Sequence, residues 1–497
     1  MHNRKNMFWA LCSQLAITLR GLILPSLFIH TFGSSVNGLI SSITQFLSFI
    51  TLLEGGLGAV VLAELYRPIE LHKDDDIIKI LCACQRFFNL LSAVFIGYTT
   101  ILAIIYPLLI KKDYGFVFTA SLIIIMSIST LIEYLFSITN KLLLQAEQKF
   151  YVVSAIQTIT TVINVILTVV LIKIYPSVHL VKFGSALIYL AQPIVFSHTV
   201  EKKYQVRFSK LKKYKGYKLE NQWSGFAQNL AHYINMNTDI ILITIALSLA
   251  DVSVYSVYML AVNALRTIFV TINNSYQSAL GKYYVEKNPD TLKTKFDKFQ
   301  TLNCLLSLVL FNTCLLLING FVSTYTKGIS DARYYQPIFA IIIVLANMIY
   351  SIREPYRLLV LAAGKFKETN FGSIMEAILN FGISILLVSR FGLVGVAIGT
   401  LIAITYRLIY FLYFLRRNIL YKNYLNYLYL ILVCALVSII NILVYLYSPV
   451  QIQSWIDFIV KGIVIVIFEG IITGVLYIFS CKIFRKKMYL SIKDFRK

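Results

Sequence analysis

Two charged side chains lie deep in apolar stretches of this 497-residue sequence: Arg20 in the first stretch, and Asp239 in the run Asp-Ile-Ile-Leu-Ile-Thr-Ile-Ala-Leu about half a chain later. At bilayer depth such a charge costs roughly 2.5–3.5 kcal/mol on insertion scales, so it persists where it faces a partner, an ion or a wet path. The two together point to a transporter built from two halves. Other chemistries find no residues to carry them. The seven cysteines (Cys12, Cys82, Cys84, Cys304, Cys314, Cys434, Cys481) fall in or beside apolar spans, form no CxxC pair, and read as small core hydrophobes. The six histidines are scattered, none beside a cysteine at ligand spacing, so no metal site is expected. No GxxxxGK[ST] loop and no HExxH pair occurs, which excludes ATP as the chain's own energy source.

The elements that must position these charges are membrane helices. A mean hydropathy of +0.74 with 14% charged residues is more apolar surface than a soluble core can hide. Stretches of bilayer length fall near 8–31, 36–63, 81–109, 116–139, 150–174, 182–200, 223–249, 253–279, 299–320, 335–360, 369–389, 393–414, 424–447 and 455–481. The expected fold class is therefore an all-α polytopic membrane protein of about 14 helices with no soluble domain. The first span is long, carries Gln14 and Arg20, and lacks a small-residue cleavage pattern, so it reads as retained.

The net charge of +23 is distributed unevenly. Alternate loops hold Arg67, Lys73 and Lys79; Lys141 and Lys149; the run Lys202 to Lys218; Lys282 to Lys298; Lys365 and Lys367; Arg416, Arg417 and Lys422; and Lys482 to Lys497. The intervening loops hold few, mainly Lys111, Lys112, Lys173, Lys182, Lys327, Arg333 and Arg390. By the positive-inside rule both termini are cytoplasmic. The basic loops suit anionic lipid rather than nucleic acid.

The segment 201–222 is the strongest break in composition, which places a six-helix lobe at 1–200, a basic linker at 201–222, a second six-helix lobe at 223–414, and two further helices with a basic tail at 415–497. The halves share a local pattern: Leu144-Gln-Ala-Glu-Gln-Lys149-Phe150 leads into the fifth span and Val360-Leu-Ala-Ala-Gly-Lys365-Phe366 into the eleventh. An asparagine follows each lysine by fifteen residues (Asn164, Asn380). A parallel six-plus-six repeat of this kind encloses a cavity. Glu54, followed by Gly55, Gly56 and Gly58, marks a bend in the second helix, either a hinge or a seam of small residues. Arg86, Glu133 and Arg407 stand close enough to helix ends to snorkel. Arg353-Glu354-Pro355-Tyr356-Arg357 reads as a proline-broken helix end with local charge pairing, or as a gate. Asp457 and Lys461 form an i,i+4 pair, and Glu469, deeper in the last span, reads either as a protonated carboxyl or as a contact with a partner or a lipid-filled groove.

Four features carry a family resemblance: Arg20, Pro25, Phe32-Gly33 and Asn37-Gly38-Leu39 across the first helix pair; Asp239 followed by Val254-Tyr255; Leu143-Leu144-Gln145-Ala146 with Lys149-Phe150; and the helix count with both ends inside. On these the chain resembles the polysaccharide exporter and Wzx-type oligosaccharide-lipid flippase branch of the MOP superfamily, related to MATE drug exporters and the lipid II flippase. Asn37 departs from the pattern, which commonly has an aromatic residue before the glycine. The resemblance implies two pseudo-symmetric six-helix bundles plus two C-terminal helices. It also implies translocation of an undecaprenyl-diphosphate-linked oligosaccharide repeat across the cytoplasmic membrane by alternating access. In that setting Arg20 and Arg266 are the candidates for the diphosphate, because a guanidinium is a permanently charged fork that fits phosphate oxygens, and Glu54 is the third candidate for the substrate cavity. Salt bridges of Arg20 with Glu54 or Asp239 are the structural alternative.

Asp239, Glu376 and Asn380, the last two sharing a helix face, are the candidates for a Na+ or H+ coupling site, although Asp239 would serve equally to neutralise an arginine. Arg353, Glu354 and Arg357 are the gating candidates. The implied partners are the lipid-linked oligosaccharide, membrane lipids and other polysaccharide-assembly membrane proteins; no cofactor beyond an ion gradient and no enzyme activity is implied. Two alternatives remain: a MATE-like cation-coupled drug or metabolite exporter, and a polytopic glycan polymerase or ligase. The plain, short loop at 321–334 argues against the enzyme.

Overall fold

A computed structural model describes residues 2–54, 56–110, 114–206, 208–214, 216–217, 219, 237–285, 289–365, 367–420 and 425–494. Among the described residues there are helices and connecting turns and no strand. Among the described residues twelve helices are long and apolar enough to cross a membrane, and two shorter apolar helices accompany them. In chain order they are α1 Arg4–Phe32, α2 Ser34–Glu54, α3 Asp74–Leu109, α4 Phe116–Ala146, α5 Phe150–Ile174, α6 Val178–Thr199, α7 Asn237–Ala246, α8 Leu249–Asn273, α9 Thr291–Tyr325, α10 Pro337–Ala362, α11 Asn370–Phe391, α12 Leu393–Leu420, α13 Val433–Tyr447 and α14 Trp455–Ile478. The short members are α7 and α13. Most of the expected seventh span, and the first residue of the thirteenth, lie outside the described residues.

The chain is a multi-pass membrane protein. In hydrocarbon a backbone must satisfy its own hydrogen bonds, which selects the helix. Large apolar side chains then face outward: Ile459, Ile463, Ile467 and Ile471, one turn apart on α14, are each more than half exposed.

The helices gather into two compact units, Met1–Ser253 and Val254–Lys497. In the first, α1 packs on α5, α3 on α4, and both α4 and α5 on α6. In the second, α12 packs on α10 and α11, and α9 packs on α10, α13 and α14. The described part of the basic segment is fastened to the first unit. Arg86 of α3 donates to the carbonyl oxygens of Tyr214 (2.9 Å), Leu211 (3.5 Å) and Tyr217. Arg86 therefore does not snorkel as expected but staples this segment down. Tyr204 and Lys203 bind the Asp74 carboxylate at 2.6 and 3.1 Å, and hydrogen bonding to Tyr204 and to Asp74 holds the Lys203 ammonium above the ordinary lysine range.

The shared sequence pattern becomes a shared turn. Gln148 and Gly364 both adopt left-handed backbone, with φ of 59° and 69°. In the first turn Glu147, Gln148 and Lys149 donate their N–H groups to Leu143, Gln145 and Leu144. In the second, Ala363, Gly364 and Lys365 donate to Leu359, Leu361 and Val360, the same bonds in the same register. This double closure satisfies the last helix carbonyls and aims the next helix back into the bilayer. The bend after Glu54 is also present: Gly56 is left-handed (φ 80°) and a new helix, Leu57–Glu70, starts after it. Gly55 lies outside the described residues.

Pro355 does not break its helix. It lies inside α10, which runs on to Ala362, so the expected helix end is a continuous helix. Bilayer helices tolerate such a proline because neighbouring groups take up the freed carbonyl. Asn37, the departure from the family pattern, is buried and donates to Ser253 Oγ at 2.8 Å. Beside it, a Cβ on Gly38 would stand 1.7 Å from the Leu249 carbonyl oxygen, so only glycine permits this approach of α2 to the start of α8.

Candidate functional site: a cationic cavity and a buried oxygen cluster

The first unit encloses a cavity of about 360 Å3 between α1, α2, α4, α5 and α6. Arg20 reaches it from α1 and donates to the Tyr189 hydroxyl on α6. Lys182 stands seven residues before Tyr189 and so on the same face of α6; its Nζ lies 4.7 Å from the centre of the Phe28 ring. Sequence alone put Lys182 in an outer loop. It is instead inside the helix Val178–Tyr189 and lines the cavity.

Glu54 enters from the end of α2 and accepts a hydrogen bond from the Tyr134 hydroxyl. A π-helical turn, Glu133–Ser137, interrupts α4 at this tyrosine. Gln85 of α3 donates to the Tyr134 and Leu135 carbonyl oxygens at 3.3 and 3.0 Å, covering backbone groups at the interruption. Among the described residues no carboxylate lies within 4.0 Å of Arg20, so its partner is a phenol and not Glu54. A second cavity of about 350 Å3 shares Arg20, Ser129, Thr130, Glu133 and Tyr189 with the first, which places Arg20 in the wall between the two. Asp239 is buried in α7. The Ser42 hydroxyl lies 2.7 Å from Thr244 of α7, and it accepts from Tyr106 at 2.7 Å.

The second unit gathers charges that the sequence treated separately. Glu376 of α11 pairs with Arg353 of α10 and, at 3.5 Å, with Arg407 of α12; all three are nearly inaccessible. Arg407 also donates to the Thr369 carbonyl oxygen (3.0 Å) and to Ser373 Oγ (2.6 Å). It is therefore a buried structural cation and does not snorkel to a helix end. Glu354 pairs with Arg357 one turn along α10 at 2.8 Å. Arg266 of α8 and Arg353 both lie over the Tyr350 ring, 4.2 and 4.6 Å from its centre. The expected Asp457 and Lys461 pair is present at 2.8 Å, and Glu469 finds a partner in Asn441 Nδ2 at 3.2 Å.

One turn from Glu376, four neutral oxygens converge in the interior. Asn380 Oδ1 lies 3.4 Å from Ser384 Oγ and 3.3 Å from Thr400 Oγ1; the Val396 carbonyl oxygen lies 3.3 and 3.1 Å from the same two hydroxyls. A Cβ on Gly399 would come within 2.1 Å of Ser384 Oγ, so glycine is what brings α12 this close to α11. Hard oxygen ligands of this kind suit a small cation such as Na+. The repeat extends here in register: Asn164 and Thr168 of α5 match Asn380 and Ser384, and all four are buried. At the matched position one turn earlier, α5 has Thr160, which accepts from Gln192 of α6 at 3.0 Å, where α11 has Glu376 with Arg407 of α12. One inter-helix crossing is thus built twice, once neutral and once charged.

No protein-family model matches the sequence, and no curated protein aligns with it. Solved structures do match. The lipid II flippase MurJ in an inward closed conformation superposes with a TM-score of 0.70 at 14% identity, over 95% of this chain and 98% of that one. An inward-facing MATE multidrug resistance transporter of the MOP superfamily gives 0.58 at 16% identity, over 82% and 94%. The MATE multidrug transporter DinF-BH gives 0.58 at 14%, over 84% and 97%. These neighbours are described as a flippase and transporters, none as an enzyme. The chain has the all-helical fold common to the lipid II flippase and the MATE transporters.

Proposed function

We propose that this protein is a flippase that carries a polyprenyl-diphosphate-linked oligosaccharide, of the undecaprenyl class, across the cytoplasmic membrane for surface polysaccharide assembly. The observation that carries the reading is the cavity of the first unit, where Arg20 and Lys182 line the walls and, among the described residues, no carboxylate lies within 4.0 Å of either. An anionic head group is the cargo that such a lining favours, and the polyprenyl tail stays in lipid while the head passes. The fold likeness to a lipid II flippase over nearly the whole chain supports the same cargo class. In this reading both termini are cytoplasmic, as the loop charges direct, and the reaction is alternating access with no covalent step. Arg266 of the second unit is a further proposed head-group cation, Arg353, Glu354 and Arg357 are gating residues, and other membrane proteins of polysaccharide assembly are the partners.

Coupling to Na+ or H+ is part of the proposal. Asn380 is its centre, supported by the oxygens of Ser384, Thr400 and Val396 around it. Glu376 is its proposed acidic member, its carboxylate already shared by two guanidinium groups, and Asp239 of the first unit is a separate proposed ion-coupling residue.

The test is deletion of the gene, followed by measurement of surface polysaccharide and of lipid-linked oligosaccharide on the inner face, with restoration by wild type, Arg20→Ala, Arg266→Ala and Asp239→Asn. Loss of surface glycan with accumulation of the lipid-linked repeat supports the flippase. Normal export together with new sensitivity to cationic drugs would replace it with a MATE-like exporter, a reading the MATE-like fold keeps open.

A further inference from the structure

A separate cavity of about 1060 Å3 in the first unit takes no part in the flippase reading. It lies toward the start of α3 and the ends of α4 and α6, beneath the basic segment, so its walls meet at one face of the membrane. The π-helical turn of α4 stands between it and the cationic cavity: Glu133 and Tyr134 line the one, Leu135 and Phe136 the other. Its volume is at the upper end of the range for ligand sites.

The lining changes character along two helices in the same direction. On α6 it runs from Leu190 and Ile194 to Ser197 and His198, and on α4 from Leu135 and Phe136 to Asn140, from apolar to hydrogen-bonding as each helix nears its end. Leu190, Phe136 and Ile194 are 37, 58 and 68% exposed, so the apolar part opens between α4 and α6 toward hydrocarbon, while His198 is exposed at the polar end. Val206 and Leu211 of the basic segment close the cavity above. This roof is anchored. Besides the Arg86 staple, Gln205 donates to the Ser197 carbonyl oxygen at 3.0 Å, and Tyr214 donates to the Asp75 carboxylate at 2.5 Å. Among the described residues that line the cavity none is acidic, and the roof segment carries Lys202, Lys212 and Lys213, all exposed. A site that is apolar toward the bilayer interior, hydrogen-bonding toward the surface and flanked by lysines complements an amphiphile with an anionic head.

We infer that this cavity binds an anionic glycerophospholipid from the leaflet that borders the basic segment, its acyl chains along Phe136 and Ile194 and its phosphate among Asn140, Ser197 and His198. The site does not rest on the flippase reading. Hydroxyl, amide and imidazole groups supply the donors, and the lysines of the roof supply the field that favours a net negative head over a zwitterionic one. The bound lipid would lie against the π-helical turn, whose Tyr134 and Leu135 carbonyl oxygens are held by Gln85, itself part of the cavity wall.

The experiment is photolabelling of the purified full-length protein reconstituted in phosphatidylcholine vesicles with a trace of phosphatidylglycerol bearing a diazirine in its acyl chain, followed by peptide mapping. Label is expected to concentrate around Phe136 and Ile194 relative to the outward ridge of α14 at Ile459 to Ile471, an ordinary lipid-facing surface. Unlabelled phosphatidylglycerol is expected to suppress it at a concentration roughly fivefold or more below that of phosphatidylethanolamine, the weight of a single basic side chain at an anionic surface. The double variant Asn140→Leu, His198→Leu is expected to lose that preference while still taking label, a readout that also shows the lobe has folded. Labelling no stronger than on α14, or equal suppression by the two lipids, overturns the site; an unchanged preference in the double variant overturns the placement of the head group. Suppression by farnesyl diphosphate at lower concentration than by phosphatidylglycerol overturns the phospholipid as occupant and gives the cavity to a polyprenyl diphosphate.

Discussion

Glu376 lies between the guanidinium groups of Arg353 and Arg407, and its removal would leave two buried cations short of one countercharge. Breaking a buried ion pair from one side costs about 3–5 kcal/mol. Glu376→Gln should therefore destabilise the second unit strongly, seen as a lowered midpoint in thermal unfolding of the detergent-solubilised protein; a midpoint within a degree of wild type would mean the triad is not structural. This bears on the coupling question, because lost transport in Glu376→Gln would not separate an ion ligand from a fold support. Asn380→Ala is the cleaner probe, since Asn380 is neutral. It should abolish any Na+-dependent protection against unfolding while leaving the triad intact, and undiminished Na+ protection would remove Asn380 from the ion site.

At the scale of elements, the paired turns before α5 and α11 make a direct comparison possible. Gln148 bears a side chain in left-handed backbone where Gly364 does not, a conformation that costs an L-residue about 1–2 kcal/mol. Gln148→Gly should raise stability by about 1 kcal/mol and Gly364→Gln should lower it by a similar amount, measured by unfolding in mixed micelles. A loss in the first variant or a gain in the second would refute equivalent turns. At the crossing of α11 and α12, Gly399→Ala drives a methyl into Ser384 Oγ. Overpacking of this kind costs about 1–3 kcal/mol, and it should also open the oxygen cluster around Asn380, so that loss of Na+ protection accompanies the loss of stability.

For the whole molecule, orientation is the property that loop charge directs most plainly. In a background with the seven native cysteines replaced, a single cysteine at Lys203 should react with an impermeant maleimide only after cells are opened, and one at Lys327 in intact cells. Labelling of Lys203→Cys from outside would invert the topology and with it the direction of transport.

How much of this was legible beforehand differs by residue. Bilayer-length apolar runs announced the membrane class and the helices, and the Lys149 and Lys365 turns announced the repeat, because hydropathy and turn geometry are local properties of the chain. Arg20, Glu54 and Asn380 stand as functional candidates on depth, a glycine bend and helical spacing. Lys182 was missed because it is close to the start of its helix, where a lysine ordinarily reaches solvent. Its spacing to Tyr189 on one helix face was the available signal. Arg407 was misread for the same reason. What the tertiary structure alone decided was partnership: Arg20 meets Tyr189 across 169 positions rather than Glu54, and Arg353 meets Glu376 across 23. Such choices depend on how each helix is rotated against its neighbours, and rotation is set by packing between helices, which no local stretch of sequence encodes.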